Sequence, residues 1–170
     1  GDGNQFYSLF RDSKGFYWFG GANGLIRFTD PAGERHDAIW YRMGDKTYPL
    51  FHNRIRHIYE DKEQQLWIAT DGSINRYDYA TRQFIHYNIV DNTGTYNTNW
   101  TYYIFEDTAG QLWISTCLGG IFVVDKRKLM QSTTGQYIAE QNYSVHNGLS
   151  GMFINQIIPD NEGNVWVLLY

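Results

Sequence analysis

The chain has 170 residues, and its 14 Lys and Arg against 18 Asp and Glu give a net charge of -4 at pH 7. This balance excludes the basic surface that nucleic acid or an anionic membrane would require. Cys117 is the only cysteine, so an internal disulfide is excluded, and the longest apolar run, residues 117–124, is far too short for a membrane span.

Short strands separated by tight turns are predicted along the whole chain. Apolar residues precede a turn of the type Asp-x-x-Gly, and a second apolar strand follows it, which is typical of an antiparallel hairpin. In chain order the predicted strands are 4–10, 16–20, 25–28 and 38–42, then 54–60, 65–70, 74–77 and 83–87, then 100–106, 111–116, 121–124 and 137–143. A longer connection, residues 126–136, precedes the last of these, and residues 152–170 supply one more hairpin.

One motif recurs four times: an aspartate, five residues and a tryptophan. The tryptophans are 49, 46 and 53 residues apart, so the chain repeats a supersecondary unit. Each aspartate is predicted to accept backbone N–H bonds within its hairpin. Each indole is predicted to fill the space between units rather than to bind ligand. The pairs are Asp12 and Trp18, Asp61 and Trp67, Asp107 and Trp113, and Asp160 and Trp166.

Four-stranded antiparallel units at a period of about 40–50 residues indicate an all-β fold, the β-propeller. We predict one partial propeller over residues 1–170, with three complete four-stranded antiparallel blades and the first hairpin of a fourth. The blades are 4–42, 53–87 and 99–143, and the half blade is 152–170. The expected partners are therefore the neighbouring blades of a longer propeller. Uncovered outer faces also predict self-association or marginal stability of the isolated segment.

The repeats resemble one family. Asn-x-Ile-x-x-Ile-x-x-Asp at 53–61, Asp-x-x-Gly-x-Leu-Trp-Ile-Ser-Thr at 107–116 and His-Asn-Gly-Leu-Ser at 146–150 are similar to two-component regulator propeller repeats. Gln64 and Ser73 depart from the pattern, because glycine is usual there. The resemblance implies a periplasmic, carbohydrate-sensing segment of a hybrid two-component receptor of gut bacteria, whose histidine kinase is not in this chain.

Ligand-binding residues are expected where the copies differ, in the linking loops 43–53, 88–99 and 144–153. Aromatic rings can stack on the C–H face of a sugar, while amides, hydroxyls and arginines take its polar groups. The predicted oligosaccharide site consists of Tyr48, His52, Arg54, Tyr96, Asn97, Trp100 and Tyr102. The alternative is that these aromatic residues only seal one blade to the next.

No metal, cofactor or catalytic residue is predicted. The five histidines show no metal-ligand spacing, and neither a nucleophile elbow nor a phosphate-binding loop is present. The leading hypothesis is thus a non-enzymatic sensor segment. Two alternatives remain: a propeller enzyme, such as a polysaccharide lyase or glycosidase, and a purely structural set of blades.

Overall fold

The computed structural model describes residues 5–29, 37–133 and 135–170. It contains three four-stranded antiparallel sheets and one separate hairpin. The first sheet contains β1 (Phe6–Arg11), β2 (Tyr17–Gly21), β3 (Gly24–Phe28) and β4 (Ile39–Tyr41). The second contains β5 (Ile55–Glu60), β6 (Leu66–Thr70), β7 (Ser73–Asp78) and β8 (Gln83–Tyr87). The fold class predicted from the sequence is confirmed.

The third sheet and the last hairpin continue the same plan. Two short strands, β9 (Ile89–Val90) and β13 (Tyr137–Ile138), lie outside the blades and pair in parallel. The third sheet contains β10 (Thr101–Glu106), β11 (Gln111–Thr116), β12 (Ile121–Asp125) and β14 (Gln141–Tyr143). The hairpin contains β15 (Ile154–Pro159) and β16 (Val165–Leu169). The predicted start of the first strand at residue 4 lies outside the described residues, and so do residues 30–36 between the predicted strands 25–28 and 38–42.

The sequence prediction is wrong in one part of the third blade. Residues 126–136, predicted as a connection, contain the helix α1 (Lys126–Gln131). Asp125 is its N-cap residue, and the Asp125 carboxylate accepts the backbone N–H groups of Arg127 and Lys128. The predicted strand 137–143 is two separate strands. Residues 137–138 pair with residues 89–90 in the loop after the second blade, and only residues 141–143 pair with β12 in the third sheet. A six-residue helix is too short to show the helical period in sequence.

A carboxylate holds each hairpin together. In all four copies the aspartate Oδ1 accepts the backbone N–H groups two and four residues later, at 2.8–3.0 Å. The other oxygen, Oδ2, accepts the indole N–H of the tryptophan six residues later, at 2.8–2.9 Å. Charge-assisted bonds of this kind are stronger than neutral ones, so each aspartate fixes both the turn and the indole.

The blades pack through apolar residues between neighbouring sheets. Trp18 is fully buried against Tyr77 of the second blade, with ring centroids 4.8 Å apart. Trp67 lies in a second cluster with Ile104 and Leu112 of the third blade. Trp166 differs from the prediction, because 61% of it is exposed.

Polar contacts also tie two of the repeated aspartates, Asp12 and Asp61, to the next blade. The hydroxyl of Tyr79, the first residue after β7, donates to Oδ2 of Asp12 at 2.7 Å. Lys126, the first residue after β12, is 2% exposed, and its Nζ lies 3.1 Å from Oδ2 of Asp61 and 2.7 Å from Oε1 of Glu106. The same position in successive blades therefore connects neighbours, although the side chain changes from a phenol to an amine.

The first strands of the second and third blades, β5 and β10, contact each other through side chains rather than through β-sheet pairing. Nδ1 of His57 accepts the backbone N–H of Ile104 at 3.2 Å, and the ring stacks on Tyr103 at 3.9 Å. Burial lowers the pKa of His57 to about 4, so the imidazole is neutral near pH 7. A protonated ring could not accept this bond.

We expect the four tryptophans to differ in energy. Trp67→Ala should lower the free energy of unfolding by about 3–5 kcal/mol, because it empties a buried site. Trp166→Ala should cost about 1 kcal/mol or less, since most of the side chain is in water. Urea denaturation of both variants provides the comparison, and equal losses would contradict the burial difference.

A second prediction concerns the turn position at which glycine is usual. Gly15, Gly110 and Gly163 have φ of 88°, 81° and 88°, and Gln64 adopts φ of 61° at the same position. Gln64→Gly should therefore raise the free energy of unfolding by about 0.5–1 kcal/mol. The reverse substitution, Gly110→Gln, is the matched control and should lower it by a similar amount. A loss of stability on Gln64→Gly would contradict the inference that Gln64 is strained by its positive φ.

The depressed pKa of His57 predicts that stability depends on pH. The neutral form is favoured in the folded state, so its contribution is complete above about pH 6.5 and is lost as pH falls towards 4. The loss should reach at most about 3 kcal/mol. His57→Asn keeps an acceptor near the Nδ1 position without a titrating group, and its stability should fall less over this interval. Parallel curves for the two proteins in denaturant titrations would contradict the prediction.

Candidate functional site

A cleft of about 520 Å³ lies between the second and third blades, where the linking loops of the two blades meet. We call it the Trp100 cleft. Its volume is within the range of small-molecule sites, about 300–1,000 Å³. The residues that line it are Phe51, Asp71, Gly72, Thr95, Tyr96, Asn97, Asn99, Trp100, Leu118 and Gly119.

Trp100 has a strained backbone. Its φ is 55°, in the left-handed region that bulky residues rarely enter, and 48% of the residue is exposed. Two hydrogen bonds hold it there: its N–H donates to the carbonyl of Asp71 at 3.0 Å, and its carbonyl accepts from the N–H of Cys117 at 2.9 Å. Turns of two different blades thus position one exposed indole. Strain of this kind is concentrated at functional sites.

Phe51 provides a second aromatic surface. It is 57% exposed, and its ring stacks on His86 with centroids 3.6 Å apart. The imidazole is fixed in turn, since its Nε2 lies 2.7 Å from the carbonyl oxygen of Gly72. Burial lowers the pKa of His86, so the ring behind Phe51 is uncharged near neutral pH and donates Nε2–H to that carbonyl. The Phe51 ring is therefore held rigidly despite its exposure.

Asp71 supplies the charged group of the cleft. Its carboxylate accepts from Nε and Nη2 of Arg56 at 2.7 and 3.2 Å, and Nε of Arg54 lies 3.8 Å away. Burial opposes the charge on Arg56, but the hydrogen bond and charge of Asp71 outweigh it and raise the pKa of Arg56. The carboxylate is thus neutralised within the protein. It has an arginine partner rather than a second carboxylate with which to share acid–base chemistry.

A second cleft of about 670 Å³ adjoins the first, and both are lined by Thr95 and Tyr96. The ring of Tyr96 lies 6.2 Å from that of His146. The second cleft's remaining lining is mostly amides, hydroxyls and carboxylates: Asp91, Asn92, Thr93, Ala139, Glu140, Gln141, Asn142, Tyr143, Ser144, His146 and Asn147. Tyr96 therefore forms a boundary between the aromatic Trp100 cleft and a more polar second cleft.

The structure brings together only part of the predicted site. Tyr96, Asn97 and Trp100 line the Trp100 cleft. Arg54 reaches it indirectly, through Asp71. Tyr102 lies elsewhere: its ring is 4.8 Å from the guanidinium carbon of Arg56, in a separate cavity near the inner strands.

The other two predicted residues have local contacts. Tyr48 packs against the core between the first and second blades, with its ring 5.5 Å from that of Tyr41. Nδ1 of His52 accepts the backbone N–H of Arg54 at 3.2 Å. Neither of these two side chains lines the Trp100 cleft.

Sequence reasoning missed Phe51, Asp71 and Leu118 as members of the site. Phe51 stands in a linking loop that the sequence had marked, so its aromatic character was a usable signal. Asp71 belongs to a turn within the second blade, and only the packing of the third blade beside it creates the cleft. Leu118, which is 53% exposed, likewise comes from a turn of the third blade.

The Trp100 cleft offers aromatic surfaces and hydrogen-bonding groups to a ligand. Within the described part of the chain, no group of three or more His, Cys, Asp or Glu is placed to hold a metal ion. Over the same ranges, no helix has the length and apolarity required to cross a membrane. Two exposed aromatic rings, amides and a paired carboxylate can bind a polyhydroxylated ligand.

Comparison with known proteins gives related sequences and structures. The model of the two-component regulator propeller family matches residues 1–23 and 49–72. Two solved structures of the extracellular domain of BT4673 from B. thetaiotaomicron, attributed to a one-component and to a hybrid two-component system, are 97% and 98% identical to the chain, with TM-scores of 0.96 and 0.97. They cover all of this chain, which spans 23% of theirs.

A more distant structure shares the fold. It is the extracellular domain of BT3049 from the same organism, attributed to a hybrid two-component system. Its sequence is 22% identical to this chain, and the TM-score is 0.74. The match covers 98% of this chain and 22% of the BT3049 chain. No curated protein matches the sequence.

Proposed function

Because this chain carries two-component regulator propeller repeats, we propose that it is part of the periplasmic sensor region of a bacterial hybrid two-component receptor and that it binds an oligosaccharide in the Trp100 cleft. Binding in this region would be relayed to a histidine kinase outside the chain. The segment acts by recognition and carries out no turnover. The extracellular domains that it resembles support this role.

The observation that supports the site is the strained, exposed Trp100. A half-exposed indole with φ of 55° contributes little to a core, and a residue in the left-handed region costs about 1–3 kcal/mol. The protein nevertheless fixes this backbone with hydrogen bonds from two blades. Such an arrangement is useful if the indole must be presented in one orientation to a ligand.

The chemistry of the cleft suits a sugar. The faces of Trp100 and Phe51 can stack on the C–H groups of a pyranose ring. Asn97 and Asn99 lie at the same cleft and can bond hydroxyl groups. The adjoining cleft beyond Tyr96 continues with amides and hydroxyls, so a ligand of several sugar units can extend across both.

We expect Trp100→Gly to separate binding from stability. Glycine adopts a positive φ without strain, so the free energy of unfolding should change by less than about 1 kcal/mol. Loss of the indole should weaken oligosaccharide binding at least about tenfold, because stacking on a tryptophan is worth about 1.4 kcal/mol or more. A glycan array with ladders of one to six sugar units would identify the ligand, and calorimetry would give the affinities.

Trp40→Ala is the matched control, since Trp40 does not line the cleft, and its affinity should be unchanged. Incubation with the bound oligosaccharide should yield neither new reducing ends nor unsaturated sugars. Full affinity in Trp100→Gly would refute the site. Release of shorter sugars by the protein would instead support the enzyme alternative.

A further inference from the structure

Each inner strand contains a bulge at the same position. The inner strands are β1, β5, β10 and β15, the first strands of the four units, and their pairing with the second strands shifts by one residue. The shift lies between residues 6 and 8, 55 and 57, 101 and 103, and 154 and 156. The extra residues are Tyr7, Arg56, Tyr102 and Asn155. A bulge leaves its extra residue unpaired and re-aims the side chain.

All four bulge residues line one cavity of about 370 Å³, which we call the bulge cavity. Each of the four units contributes its bulge residue to the lining of this cavity. The curvature of the blade array therefore brings the four bulges together. The bulge recurs in every unit, but the residue at it changes from Tyr to Arg to Tyr to Asn. The backbone feature is therefore common to the units, while the chemistry at it is specific to each.

Arg56 is the cationic group of this cavity. Its Nε and Nη2 bind Asp71, and its guanidinium carbon lies 4.8 Å from the centre of the Tyr102 ring. A guanidinium has five N–H donors, so this pairing leaves donors for a second acceptor. Asp71 also has Arg54 beside it, at 3.8 Å. The two arginines exceed the one carboxylate, and the local charge is positive.

Among the described residues that line the bulge cavity there is no Asp or Glu side chain. The remaining lining residues are neutral: tyrosines, the amides of Asn155 and Gln156, and the uncharged imidazole of His57. Phenols and amides donate hydrogen bonds to oxygen, and tyrosine faces accept the C–H side of a sugar ring. The cavity is larger than an inorganic anion requires and falls in the range of small organic ligands.

We propose that the bulge cavity binds a sugar that carries a carboxylate, a uronic acid. The carboxylate pairs with the guanidinium of Arg56, whose planar fork matches its geometry. Tyr102 and Tyr7 flank the ring, and Asn155 bonds a hydroxyl. This site uses none of the residues that line the Trp100 cleft, apart from the contact of Arg56 with Asp71, and it does not depend on the function proposed for that cleft.

The test is calorimetric titration with sodium glucuronate and with glucose, at pH 7 and constant ionic strength. Tyr170 lines the cavity, so the tested protein carries two glycines after Tyr170, which keep a chain-terminal carboxylate out of the cavity. We expect glucuronate to bind with a dissociation constant on the order of 1 mM, as is usual for a single sugar-sized ligand, and glucose to bind at least about tenfold more weakly.

Arg56→Gln should weaken glucuronate binding at least about tenfold. Arg54→Gln is the matched control: it removes the same charge beside Asp71, but Arg54 does not line the cavity, so its affinity should change less than about threefold. Asn155→Ala, at an exposed position that tolerates substitution, provides a second variant if Arg56→Gln fails to fold, and it should weaken binding measurably.

Three results would overturn the proposal. Equal binding of glucose and glucuronate would remove the role of the carboxylate. An equal effect of Arg54→Gln and Arg56→Gln would show a general charge effect rather than a site. Absence of glucuronate binding at concentrations well above 1 mM, in the folded parent protein, would show that the bulge residues serve only the curvature of the strands.

Discussion

The bond from each repeated aspartate to the indole six residues later is the interaction on which the other features depend. One carboxylate oxygen closes the turn through two backbone N–H groups, and the other holds the tryptophan. This fixes the register of the first two strands and the position of a large apolar side chain at once. The next blade then packs against an indole that is already placed, so local order and packing between blades support each other.

The same carboxylates also connect the blades. Asp12 receives Tyr79 from the second blade, and Asp61 receives Lys126 from the third. The charge of Lys126 is buried, and the carboxylates of Asp61, Glu63 and Glu106 offset it, because an unpaired buried ammonium would be costly. Burial works against the charge of Lys126, yet the bonds to Glu106 and Asp61 raise its pKa overall. Neighbouring blades are thus joined by specific polar contacts as well as by apolar area.

The two proposed binding sites lie where this regular scaffold is interrupted. Trp100 occupies a strained backbone between two blades, and Arg56 occupies a bulge. Both contact Asp71, through its backbone and its side chain respectively. Local strain and bulges are tolerated because the surrounding sheets over-determine them. Asp71 therefore links the two proposed binding sites, although each is formed by its own set of side chains.

The sequence by itself determined the repeat, the hairpins and the propeller, because these follow from turns between neighbouring strands and from apolar alternation that recurs in every copy. It also marked the loop 88–99, which carries Tyr96 and directly precedes Trp100. Only the tertiary structure decided that Phe51 and Asp71 complete the cleft and that Tyr48 packs in the core, because these contacts join segments separated by tens of residues.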